Sequence, residues 1–120
     1  MKTNKLISTY RITSYLLMLG VIHSAMTPIF YKSLSLDALW FFGTGLSLVF
    51  LSILNIAASR LLVPWLLTLT LIANIIGTIH SFAITIVLKE FQAFIGTLFF
   101  LIVLIACWLT KRHIARIERK

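Results

Sequence analysis

Gly20-Val21-Ile22-His23-Ser24 is read twice in this chain, returning as Gly77-Thr78-Ile79-His80-Ser81, each time deep inside a long apolar run. Further matches follow each copy in order. Lys32 lies nine residues after His23 and Lys89 nine after His80; Asp37 stands six residues before Gly43-Thr44 and Glu90 six before Gly96-Thr97. The first copy is four residues longer between its lysine and its acid. Apolar segments resemble one another through composition alone, so shared Leu and Ile carry little weight. A histidine, a lysine, an acid and Gly-Thr at matched spacing carry much more, and the pattern predicts an internal duplication of 14–54 onto 71–107.

Outward from those copies, the composition calls for a solvent other than water. Of 120 residues, 60% are hydrophobic and 12% charged, and the mean hydropathy is +1.03. Soluble domains are nearer half apolar and a quarter charged. Charge is absent between Arg11 and Lys32, Asp37 and Arg60, Arg60 and Lys89, and Glu90 and Lys111. Each gap matches a hydrocarbon core of about 30 Å at about 1.5 Å per helical residue. The expected fold is all-α, one membrane domain over 1–120, with spans at 12–30, 39–59, 62–87 and 91–110. Residues 1–11 form a short polar start and 111–120 a basic tail able to continue helically. A cleaved leader is the competing reading of the first apolar run. The repeat argues against it, because its second copy begins near Leu62 and cannot be a leader.

The formal charge of +8 does not imply nucleic acid. Nine of the eleven Lys and Arg residues fall at the two ends or at Arg60, which share one side of the membrane if the spans alternate. Only Lys32 and Lys89 fall on the other. Such asymmetry places both termini in the cytoplasm, where anionic headgroups meet the basic ends. Membrane lipids are then the expected partners, with a second copy or another membrane protein as a further one. The first and third spans both run outward, so the two hairpins form a parallel repeat about an axis normal to the membrane.

Several residues bound these spans by their chemistry. Ser35 and Asp37 suit a helix start, where exposed N–H groups and the positive end of the dipole favour them. Pro64 fits a first helical turn, and Trp40, Trp65 and Trp108 sit where interfacial aromatics belong. Asn74, near mid-membrane, is expected to bond a neighbouring helix.

The candidate site is the layer of His23 and His80. By helical rise each lies about 10–12 Å below its outer loop, level with Gly43-Thr44 and Gly96-Thr97. The plain reading is that each ring bonds Thr44 or Thr97 and fastens its own hairpin. The functional reading turns both rings to the common axis, between the first and third spans, around a lipid, a quinone or another small amphiphile. Two neutral imidazoles at one depth could also hold haem or a metal ion, with Lys32 and Lys89 above them for anionic groups. Asp37 and Glu90 read as helix starters before acid–base groups. No phosphate loop, zinc-protease motif, cysteine pair or nucleophile elbow is present, so a catalytic role is not favoured. A small transporter, workable only as an oligomer, is a further alternative.

His23, Thr27-Pro28, the run Leu39-Trp40-Phe41-Phe42-Gly43-Thr44-Gly45-Leu46 and Asn55 together resemble small four-helix bacterial membrane proteins of the DoxX-like kind. The resemblance covers nearly the whole chain. It implies a bacterial inner-membrane protein and supplies no activity or site residue.

Overall fold

The computed structural model describes residues 2–119. Four helical segments are long and apolar enough to cross a membrane: Asn4–Phe30, Leu36–Leu61, Pro64–Leu88 and Phe91–Ile117. They form an all-α four-helix bundle. The first span is composite, made of α1 (Lys2–Ser14), a 3-10 turn (Tyr15–Met18), α2 (Leu19–Ala25) and α3 (Thr27–Phe30). The other three are the continuous helices α4 (Leu36–Leu61), α5 (Pro64–Leu88) and α6 (Phe91–Ile117).

Three of these segments overrun their charge-free intervals, while α5 stays within its own. Ser35 accepts a hydrogen bond from the Ala38 N–H at 3.2 Å and opens α4. Leu62 and Lys89 close α4 and α5 in the left-handed region, both at φ 54°. The last helix runs through the basic tail as far as Ile117, where Arg112 lies 5.5 Å from the Trp108 ring centre.

The side carrying the two chain ends and Arg60 is called here the terminal side, and the other the far side. On the terminal side the first span is wedged between α4 and α6. The buried core there joins Tyr10, Leu17, Ala58, Leu67, Val103 and Cys107. Running through it is a polar chain. The Tyr10 hydroxyl donates to Asn55 Oδ1 at 2.8 Å, while Asn55 and Asn74 exchange amide bonds at 2.9 and 2.8 Å. Asn55 Nδ2 also donates to the Leu51 carbonyl at 2.8 Å, so neither amide is stranded in hydrocarbon. Three spans are thereby tied at one level.

The same core explains why the first span breaks. A Ser14 carbonyl in a regular helix would serve the N–H four residues on, that of Met18. Here the Ser52 hydroxyl of α4 donates to it at 2.7 Å. Ser14 and Thr13 meanwhile donate back to the Tyr10 carbonyl, at 2.7 and 3.0 Å. Hydroxyls inserted into the ladder bend helices. The chain tightens into the 3-10 turn immediately afterwards, and beyond it α2 and α3 follow α4.

Candidate ligand site

In the first copy, Gly20 and Ser24 are four apart and therefore share one helix face. Both are buried against α4. A Cβ on Gly20 would collide with the Gly45 carbonyl and lie 2.6 Å from Leu48 Cβ. One on Gly45 would strike the Ser24 hydroxyl and sit 2.6 Å from the Gly20 carbonyl. This is a small-residue crossing of the kind that lets membrane helices touch at the backbone. The Ser24 hydroxyl completes it, donating to the Phe42 carbonyl at 3.0 Å.

With Ser24 committed to α4, His23 is rotated by about 100° around α2. Its ring stacks on Phe41 with centroids 4.0 Å apart and planes 20° apart. Phe30 and Tyr31 close over the same Phe41 ring at 5.7 and 5.6 Å. The Nε2 atom of His23 is buried and has no hydrogen-bond partner among the described residues. Thr27 Oγ1, one turn further toward the far side, is buried and unpartnered in the same way.

Beside the His23 ring lies a cavity of about 300 Å³, lined among others by Ile22, Leu48, Gln92, Gly96 and Phe99. It separates α2 from α6. Gly96 belongs to its wall, and a Cβ there would meet nothing within 4 Å. A second space of about 430 Å³ continues along the first span past Leu19, Leu16, Tyr15 and Ile12. The two share Leu16, Leu19, Ile22 and Phe99, and the second is an open face on which Ile12, Tyr15, Leu19 and Ile22 are exposed.

The second copy uses its small residues similarly. The Ser81 and Thr97 hydroxyls are 2.8 Å apart, and Thr85 lies 2.8 Å from Thr97 while donating to the Ala93 carbonyl at 3.0 Å. Gly77 faces Phe100, whose Cε1 would be 2.7 Å from an added Cβ. In both copies, then, the serine meets the helix that follows it.

The histidines do not behave alike. His80 is exposed on α5 and is not among the residues lining the cavity at His23. Neither ring is fastened by its threonine, because Thr44 donates to the Trp40 carbonyl at 2.9 Å and Thr97 is occupied by Ser81 and Thr85. The space at His23 adjoins α6 and not α5, so it does not lie between the first and third spans as the repeat suggested. One inward and one exposed imidazole do not fit a two-ended clamp for haem or a metal ion. No cluster of three or more His, Cys, Asp or Glu gathers among the described residues.

Other expected site residues are spread along the far side. Gly43 is half-buried with open space above it. Lys32, Asp37, Lys89 and Glu90 are exposed, with Asp37 in the first turn of α4. Glu90 caps α6 by position and accepts from Gln92 Nε2 at 3.0 Å. Three participants escaped the sequence reading: Gly45, Gln92 and Tyr10. Gly45 and Gln92 have no counterpart in the other copy, and Tyr10 sits in a stretch that reads as polar. The available signal was spacing, since Gly45 lies two residues beyond Gly43 and Tyr10 lies four before Ser14. No family profile, curated protein or solved structure matches the chain.

Proposed function

We propose that this chain is a multi-pass protein of a bacterial inner membrane, with both termini cytoplasmic, that binds a small amphiphile in the outer leaflet without transforming it. The observation carrying this reading is the cavity between α2 and α6, with His23 and Gln92 among its lining residues. Its mostly apolar lining suits the chain of an amphiphile, and the few polar groups beside it suit a small head. The placement of nine basic residues on the terminal side supports the orientation.

Native mass spectrometry of protein released from gentle detergent tests the site. The wild type should retain one small amphiphile per chain. Gly96→Leu, which extends a side chain into the open cavity, should lose it while keeping its helical circular dichroism. Equal occupancy in both would remove the site from this cavity. A Soret band in the pure protein that vanishes in His23→Ala would favour a haem subunit instead.

A further inference from the structure

Two arginines from different spans stand at one seam with no acid to answer them. We infer that the first span and the end of α4 together hold the phosphate of an anionic phospholipid between Arg11 and Arg60. The site lies on the terminal side and does not rest on the cavity at His23.

Two hydrogen bonds define the seam, and they cross it in opposite directions. Arg11 of α1 donates through Nη2 to the Ser59 carbonyl of α4 at 3.3 Å. Arg60, the next residue of α4, donates through Nη2 to the Tyr15 hydroxyl at 3.3 Å. Arg11 and Tyr15 are four apart and so lie on one side of the first span. A guanidinium carries several N–H donors, so each keeps capacity beyond the bond it makes here. Arg60 is exposed. Arg11 is half-buried: its Nε is enclosed, whereas its Nη1 is neither enclosed nor bonded among the described residues.

The charge at this seam is not balanced from within. The chain has three Asp and Glu residues. Asp37 and Glu90 stand at helix starts on the far side. Glu118 lies eleven residues beyond Cys107, which shares the core with Tyr10, or roughly 17 Å of helix. Neither arginine forms an ion pair among the described residues. The negative charge the seam does own is the C-terminal end of α4, which closes at Leu61. Such an end is worth about half an elementary charge. Against two full positive charges it leaves more than one unanswered. An external anion supplies the remainder, and a phosphate matches the guanidinium fork in shape as well as charge.

Position assigns that phosphate to a lipid. Arg11 opens one charge-free interval and Arg60 separates two others. Both therefore stand at the edge of the hydrocarbon, with the headgroup layer extending roughly 5–8 Å beyond it. Leu61 and Trp65, which follow Arg60, are exposed, as apolar and aromatic residues at that boundary are. A head that carries its own ammonium would press like charge against two guanidiniums. Phosphatidylglycerol, whose head is a phosphate without a cation, fits better than phosphatidylcholine.

Native mass spectrometry of the whole protein tests this, with titrations of phosphatidylglycerol, phosphatidylcholine and inorganic phosphate. The wild type should retain one phosphatidylglycerol roughly tenfold more tightly than phosphatidylcholine, a difference of about 1.4 kcal/mol. Arg11→Gln and Arg60→Gln should each weaken that binding roughly tenfold, the scale of one lost charge-assisted bond. Arg116→Gln, in the basic tail, should leave it unchanged. Thermal melts guard against misfolding: phosphatidylglycerol should raise the melting temperature of the wild type but not of Arg60→Gln at equal helical circular dichroism. Equal losses in all three variants would mean diffuse attraction to the basic ends and would overturn the site. Equal retention of the two lipids would overturn it as well. Displacement of phosphatidylglycerol by millimolar inorganic phosphate would give the site to a soluble anion and overturn the lipid assignment.

Discussion

At the residue scale, two glycines two positions apart illustrate how differently the same residue type is used. Gly45 lies where α2 touches α4, with Ser24 N 2.8 Å from where its Cβ would be, whereas nothing lies within 4 Å of a Cβ on Gly43. Gly45→Ala should therefore lower stability by about 1–3 kcal/mol, as overpacking does. Gly43→Ala should be neutral or stabilising by up to about 1 kcal/mol, from helix propensity alone. Thermal melts of the two variants in one detergent check the contrast, and equal losses would deny the close crossing. Lys89 offers a second case, since a non-glycine residue at φ 54° carries a steric cost. Lys89→Gly should raise the melting temperature modestly, by no more than about 1 kcal/mol in stability.

At the scale of elements, the terminal side is held by amides and the far side by small residues. Asn55 serves Tyr10, Asn74 and the Leu51 carbonyl together. Asn55→Ala should cost more than Asn74→Ala, because it takes the asparagine partner from both Tyr10 and Asn74, whereas without Asn74 the Asn55 amide keeps Tyr10 and the Leu51 carbonyl. About 1–3 kcal/mol against about 1 kcal/mol is the expected order. A double-mutant cycle by denaturant titration in micelles should show coupling near 0.6 kcal/mol or above, and strict additivity would mean the amides do not interact. Four charge-free intervals made the four spans legible, since the length of a hydrocarbon crossing is a strong constraint. The repeated stretch placed His80 level with Thr97, and it is the neighbouring Ser81 that meets Thr97. It did not show where the histidines face. Neighbouring positions on a helix differ by about 100°, and once the serine is committed to the next helix, local packing decides the rest. Phe41 draws His23 against α4, and His80 has no ring contact among the described residues. The cavity was illegible for a related reason: its wall gathers residues from α2, α4 and α6, which no local pattern announces.

At the scale of the whole molecule, the bundle measures 57 × 24 × 22 Å, longer than the hydrocarbon it would cross. The excess fits helices that rise into the headgroups, with the basic tail of α6 among them. Orientation is tested by single cysteines at Ser33 and Arg119 in a Cys107→Ala background. In intact cells an impermeant maleimide should label position 33 and spare position 119, and the reverse pattern would invert the proposed topology.

The tight turn between α4 and α5 has a consequence for biosynthesis. Only Leu62 and Val63 separate these helices, and the two asparagines that answer each other lie nineteen residues apart within this one hairpin. As the nascent chain leaves the insertion machinery, each amide therefore finds its mate without waiting for α6 to be made. The middle of the protein can enter the lipid as a unit already internally satisfied, with the first span as a neighbour made beforehand and the last as one added afterwards.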